Sequence, residues 1–165
     1  MGENKRITYL IKEGFMLSTK LVTKKEKILV CITIQHNSKR LIKRGYEIAK
    51  KKGGELHILH IAKGESIFTE PESGPLLEKL FEYASVLGGE VHVGCSTDVI
   101  QYITSFIKDN HISGIVLGET LRNALCGFFS QNIETCLASK MPNTEIFVLE
   151  RDIKIAPNPN KIIPV

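Results

Sequence analysis

The sequence lacks the features that would place it among membrane, secreted or nucleic-acid-binding proteins. No apolar run approaches the roughly 20 residues that a helix needs to cross a membrane. The N-terminus, MGENKRITYLIKEGF, has neither the apolar core nor the small-residue cleavage site of a signal peptide. The net charge is only +4 over 165 residues, which gives little reason to expect nucleic-acid binding. We therefore expect a cytoplasmic protein with no membrane and no nucleic-acid partner.

Signatures of metal binding are also missing. The 4 cysteines are scattered, and neither a CxxC pair nor a histidine at ligand spacing accompanies them. Cys31 and Cys136 fall on apolar faces, so we predict that they are small core residues. His57 and His60 are an odd number of positions apart on one predicted strand and therefore point to opposite faces. Each is predicted to be a hydrogen-bonded structural histidine, and no metal ligand is expected.

The sequence does contain a regular alternation of apolar, β-branched runs with helical periodicities. Five runs are predicted strands, at residues 27–34, 55–61, 90–95, 112–117 and 144–149. Amphipathic segments separate them, which gives the order β-α-β-α-β-α-β-α-β. Such alternation specifies an α/β fold: an open, twisted, five-stranded parallel sheet with helices on both faces.

Local signals mark where the predicted helices begin. Asn37 or Ser38 is the predicted N-cap of the first helix, and Ser96 or Thr97 that of the third. Pro75 is predicted to open the second helix at its first position. The glycines at 53 and 54 are predicted to end the first helix.

The chain is predicted to contain one domain with two extensions. Residues 27–150 form the predicted domain, residues 1–26 an N-terminal extension or linker, and residues 151–165 a C-terminal tail. The N-terminal extension is open to two interpretations. It is either a docking or dimer-contact element, or a partly disordered terminus.

A strand, a polar loop and a helix start follow one another between Ile112 and Lys140, and Gly118 ends the strand. Free N–H groups at a helix N-terminus favour an anion, so this arrangement can bind phosphate. An ordinary loop with no ligand is the alternative. In parallel sheets ligands bind beyond the C-terminal strand ends, which adds Thr33 and Ile61 as candidates at the same edge.

Two stretches resemble the universal stress protein family: KILVCITIQHNSKRLIKRGYEIAKKKGGELHILHI and ISGIVLGETLRNALCGFFSQNIE. The resemblance covers about residues 27–150 and is greatest to the universal stress domain of KdpD-type potassium sensor histidine kinases. It implies an adenine-nucleotide hydrolase-like α/β fold and a homodimer that forms through the last strand. It also implies a regulatory role in signalling, such as a potassium or osmotic response, with a signalling protein as a partner.

The resemblance further implies a nucleotide site. ATP-binding members of the family carry G-x2-G-x9-G-[ST] after the fourth strand. Its positions fall here on Gly118, Leu121, Gln131 and Asn132, so only the first matches. Arg122 can supply a charge-assisted hydrogen bond to phosphate. Thr33 stands where ATP-binding members usually have an aspartate.

We therefore expect a non-enzymatic regulatory protein that requires no cofactor. ATP, AMP or a cyclic dinucleotide is its candidate ligand, although the serine- and aromatic-containing signature for cyclic dinucleotides is not recognisable. Two alternatives remain: a nucleotide-hydrolysing enzyme of related fold, and a protein-interaction module that binds no small molecule. No P-loop, pyrophosphatase loop or nucleophile–base pair is evident to support catalysis.

Overall fold

The computed structural model describes residues 24–62, 73–118 and 133–149. Strands and helices alternate along these ranges. They are β1 (Lys27–Ile32), α1 (Ser38–Lys52), β2 (Glu55–Ala62), α2 (Ser73–Val86), β3 (Glu90–Cys95), α3 (Val99–Asn110), β4 (Gly114–Gly118), α4 (Ile133–Lys140) and β5 (Glu145–Leu149). All strand pairs are parallel, and the sheet order is β3-β2-β1-β4-β5. The predicted five-stranded parallel α/β fold is confirmed.

Two hydrophobic cores lie on opposite faces of this sheet. On one face, Leu29 and Leu59 pack with residues of α3 and with Leu137 of α4. On the other face, Val30 and Ile58 pack with residues of α1 and α2. Successive residues of a strand point to opposite faces, so a strand covered on both faces must be apolar throughout. This explains why β1 after Lys27, and the whole of β4, contain no polar side chain.

The ends of several elements differ from the prediction. β1 ends at Ile32, two residues early. The N-cap of α3 is Asp98, whose carboxylate accepts a hydrogen bond from the backbone N–H of Gln101 at 2.9 Å. The prediction of Ser96 or Thr97 was therefore wrong, because a carboxylate one residue later satisfies the free N–H groups of the first turn. α2 begins at Ser73, so the prediction that a proline opens it was also wrong.

The termini of the predicted domain are only partly covered by this description. The limits at residues 26 and 150 stay predictions, although Glu26 already joins the sheet by accepting a hydrogen bond from the backbone N–H of Glu55 at 2.8 Å.

Across the three described ranges, no helix is both long and apolar enough to cross a membrane. Cys31 is confirmed as a core residue with 2% exposure, and its burial raises the pKa of its thiol to about 12. The Cys136 side chain lies outside the described residues.

Candidate nucleotide site

The strand order places a topological switch point between β1 and β4. From β1 the chain proceeds through β2 to β3 on one side of the sheet, and β4 and β5 then add on the other side. The helices that follow these two strands, α4 after β4 and α1 after β1, pack on opposite faces of the sheet. In open parallel sheets ligands bind at such a switch point, beyond the C-terminal ends of the strands, and we call this place the crevice.

Three predicted site residues reach this edge together. Thr33 follows the end of β1, Ile61 is the penultimate residue of β2, and Gly118 ends β4. Ile32 pairs with His60 in the parallel ladder, so the next position brings Thr33 level with Ile61. Thr33 and Ile61 are half-buried, and Gly118 is buried. A polar residue and an apolar residue therefore stand side by side at this edge of the sheet, where β4 ends in a glycine.

Gly118 also has a packing role that does not depend on any ligand. A Cβ atom at this position would lie 2.9 Å from Cδ1 of Leu41, a buried residue of α1 with 7% exposure. Atoms that close must move apart, so glycine allows α1 to pack against the end of β4. The presence of glycine here is therefore not by itself an indication of a phosphate site.

The turn between β1 and α1 is held by buried hydrogen bonds. The Ser38 hydroxyl donates to the carbonyl oxygen of Thr33 at 2.6 Å, and Ser38 is fully buried. Asn37 occupies the N-cap position as predicted, but within the described residues its side chain makes no capping hydrogen bond. The first turn of α1, SKRL, contains no acidic residue. Two of the first backbone N–H groups are already used, since Ser38 donates to the Gln35 carbonyl and Arg40 to the Asn37 carbonyl, both at 3.0 Å. The positive end of the helix dipole is therefore what an anion at the crevice can use.

The other predicted site residues cannot be placed against this crevice. Leu121, Arg122, Gln131 and Asn132 all lie outside the described residues. Their roles stay predictions. The loop that contains them leaves β4 at Gly118, so it begins at the crevice.

The two histidines of β2 face opposite sides, as predicted. His60 has 7% exposure, and its Nδ1 lies 3.2 Å from the carbonyl oxygen of Ile32, so the prediction of a structural hydrogen bond is confirmed. Burial lowers the pKa of His60. His57 is hydrogen-bonded to His92 of β3, with 3.1 Å between His57 Nδ1 and His92 Nε2, so the predicted hydrogen bond is confirmed for this histidine too. Desolvation is the main reason that the pKa of His57 is lowered.

The pairing of His57 with His92 was not predicted from the sequence. The signal was available in the alternation of β3, where Glu90 and His92 point to the same face. The local sequence pattern does not show that β2 and β3 are neighbours in the sheet. This neighbourhood places the two histidines on the N-terminal half of their strands, away from the crevice.

The sequence is similar to part of the length of two KdpD sensor proteins. The chain is 27% identical over 109 residues to the sensor protein KdpD of Mycobacterium tuberculosis (strain H37Rv), which covers 66% of this chain and 12% of that protein. It is 30% identical over 116 residues to a putative sensor protein KdpD of Synechocystis sp., which covers 68% of this chain and 31% of that protein. The chain thus spans less than a third of either relative. No protein-family model matches the chain.

Solved structures with the same fold are universal stress proteins. One, solved in complex with cAMP, superposes with a TM-score of 0.56 at 14% identity and covers 76% of this chain and 97% of its own. Another, from Archaeoglobus fulgidus DSM 4304, gives a TM-score of 0.54 at 22% identity and covers 76% of this chain and 44% of its own. The chain therefore has the fold of the universal stress proteins, and its sequence resembles part of the KdpD sensor proteins.

Proposed function

We propose that the chain is a non-enzymatic regulatory protein of the universal stress type that binds an adenine nucleotide in the crevice between β1 and β4. The observation that carries this proposal is the crevice at the switch point, which combines Thr33, Ile61 and the α1 N-terminus at one edge of the sheet. One protein with this fold was solved with cAMP bound. The similarity to KdpD sensor proteins supports a role in signalling, such as a potassium or osmotic response.

The chemistry of the crevice fits a nucleotide better than it fits a free inorganic ion. Ile61 offers an apolar contact for a base, and the Thr33 hydroxyl can donate or accept a hydrogen bond. The positive dipole end at the start of α1 favours a phosphate placed there. Arg122, in the loop that follows Gly118, is the proposed charged contact to that phosphate.

A bulky side chain placed in the crevice should abolish nucleotide binding. We expect wild type to bind ATP, AMP or cAMP weakly and Thr33→Trp to bind none of them, because the indole ring would occupy the space proposed for the nucleotide. Thr97→Trp is the matched control, since Thr97 is exposed beyond β3 at the same edge of the sheet but away from the switch point. Isothermal titration calorimetry of the three proteins measures the difference.

Arg122→Ala tests the phosphate contact separately. Loss of a hydrogen bond to a charged group costs roughly 1.5–3 kcal/mol, so affinity should fall about tenfold or more. If no nucleotide binds wild type at millimolar concentration, or Thr33→Trp binds as well as Thr97→Trp, the crevice is not a nucleotide site.

The same samples incubated with ATP should form no ADP. ATP hydrolysis at about 1 per second, an ordinary enzyme rate, would show that the protein is an enzyme.

We further propose that the protein forms a homodimer through β5. β5 is an edge strand whose only partner strand among the described residues is β4. Ile146, Phe147, Val148 and Leu149 are half-buried there. An unpaired apolar edge tends to associate with another strand. The dimer that the resemblance implies stays a prediction.

Val148→Lys should convert the dimer to a monomer, because two copies of the charge would meet at the shared edge. Val93→Lys is the matched control on the opposite edge strand, where Val93 is 47% exposed. Light scattering at micromolar concentration distinguishes the two species. A wild-type monomer, or a dimer that survives Val148→Lys and dissociates with Val93→Lys, would contradict pairing through β5.

A further inference from the structure

A second group of polar side chains lies at the N-terminal edge of the sheet, away from the nucleotide crevice. It consists of His57 on β2 and of Glu90 and His92 on β3, and we call it the His-Glu-His cluster. His57 is level with Glu90 in the parallel ladder, and His92 is the next residue of β3 on that face. Three groups that can bind a metal therefore converge from two hydrogen-bonded strands.

The distances in this cluster are too long for hydrogen bonds to the carboxylate. Oε2 of Glu90 lies 3.6 Å from Nδ1 of His57, and Oε1 of Glu90 lies 3.7 Å from Nε2 of His92. The two ring nitrogens are 3.1 Å apart. A tetrahedral metal with bonds of about 2.0–2.1 Å requires neighbouring ligand atoms to be roughly 3.3 Å apart. The distance between the two ring nitrogens is slightly below that value, and the distance from each nitrogen to one of the two Glu90 oxygens is slightly above it. One ligand atom from each of the three residues can be chosen so that all lie within 4.8 Å of one another.

The two rings are held in place before any metal arrives. His57 and His92 are stacked with 5.4 Å between ring centroids. Phe106 of α3 packs edge-to-face with His92, with 4.9 Å between their ring centroids. The His57 side chain has only 5% exposure. Rigid ligands lose little conformational entropy on binding, so such a site is preorganised.

The second nitrogen of His57 supports the same interpretation. Nε2 of His57 is buried and has no hydrogen-bond partner among the described residues. The Glu55 carboxylate is 3.7 Å away. With Nδ1 bound to a metal, Nε2 carries the proton and can donate it toward this carboxylate, which is the usual arrangement around metal-binding histidines. Lys25 and Lys27 pair with Glu55, so part of its charge is already balanced.

We propose that the His-Glu-His cluster binds a divalent transition-metal ion, best fitted by Zn²⁺. Two imidazoles and one carboxylate are a common zinc ligand set, and the fourth position is open to water because the Glu90 side chain is 67% exposed. A cavity of about 480 Å³ that includes Glu55, His57 and Glu90 in its lining provides access. The ion would tie the edge strand β3 to β2.

The test is a Zn²⁺ titration of the full chain, free of any affinity tag and kept reduced, against a chromophoric chelator. Wild type should bind one Zn²⁺ per chain. Loss of a side chain that only supports a metal ligand lowers metal affinity about 10- to 100-fold. Glu90→Gln and His92→Gln each remove a proposed direct ligand, so each should weaken Zn²⁺ binding by at least that factor. Glu82→Gln is the matched control, since Glu82 is an exposed glutamate on α2 outside the cluster. It should bind Zn²⁺ as wild type does.

A melting experiment separates loss of the site from loss of the fold. In EDTA, Glu90→Gln should melt as wild type does, because Glu90 makes only long contacts to the two rings. Added Zn²⁺ should raise the melting temperature of wild type and Glu82→Gln but not that of Glu90→Gln. The proposal is overturned if wild type binds no Zn²⁺ at 1 mM, a concentration of the order expected only for weak sites. It is also overturned if the two cluster variants bind as tightly as wild type, which would assign the ion to other groups.

Discussion

Gly45→Ala is expected to lower the free energy of unfolding by about 2 kcal/mol, the reverse of what alanine does in an ordinary helix. An added Cβ at Gly45 would overlap Cγ2 of Val30 on β1, which is fully buried. Val30 is β-branched and enclosed, so α1 itself must move away from the sheet. Overpacking of this kind costs about 1–3 kcal/mol, and we expect a value at or above the upper end. The gain of about 1 kcal/mol in helix propensity offsets part of it.

A double-mutant cycle identifies the cause. Val30→Ala alone should be destabilising, because it leaves a cavity in the core. In that background, however, Gly45→Ala should become nearly neutral or stabilising, since the methyl group now has room. Residues in contact show coupling energies of about 0.5–3 kcal/mol. Chemical denaturation of the four proteins gives the coupling, and additive effects would show that Val30 is not what excludes a side chain at position 45.

Gly54→Ala is expected to destabilise the protein by roughly 2–4 kcal/mol, more than Gly53→Ala. A Cβ at Gly54 would lie 2.5 Å from the backbone oxygen and 2.9 Å from the carbonyl carbon of Glu26. That carbonyl also accepts the hydrogen bond from Glu55 N–H. Moving it would therefore break a hydrogen bond that joins the starts of β1 and β2. The estimate combines overpacking with one lost hydrogen bond.

Gly53 supplies the comparison because its constraint is of another kind. Its φ of 62° is left-handed, and nothing lies within 4 Å of where its Cβ would be. Alanine there should cost about 1–2 kcal/mol from backbone strain alone. Denaturant midpoints of the two variants, measured side by side, test the order. An equal or smaller loss for Gly54→Ala would mean that Glu26 moves aside without disturbing the sheet.

Gly53 and Gly54 show which structural roles can be predicted from the sequence and which cannot. The pair at positions 53 and 54 correctly predicted the end of α1, because the left-handed conformation at Gly53 is a local property of the helix end. The need for glycine at position 54 depends on Glu26, which is distant in sequence. Likewise, the sequence places Gly45 at helical spacing from Ala49, but only packing shows that Val30 leaves no room for a side chain.

The candidate sites divide in the same way. Thr33, Ile61 and Gly118 were predicted to share one edge because the C-terminal ends of parallel strands must meet there. The residues with ligand-binding chemistry in the loop after β4 were predicted from a resemblance, and that loop lies outside the described residues. The His-Glu-His cluster was not predicted, since its members belong to strands whose adjacency no local pattern encodes.

The sequence by itself determined the number and order of the strands, the parallel sheet and the presence of a core on each face. These follow from hydrophobic periodicity and from the length of the connections, which are local properties. Only the tertiary structure decided the order β3-β2-β1-β4-β5, and with it the switch point beside Thr33 and the contact of His57 with His92. Strand neighbours are chosen by the packing of whole helices and strands against one another, and the free energy of that packing depends on contacts between residues far apart in the chain.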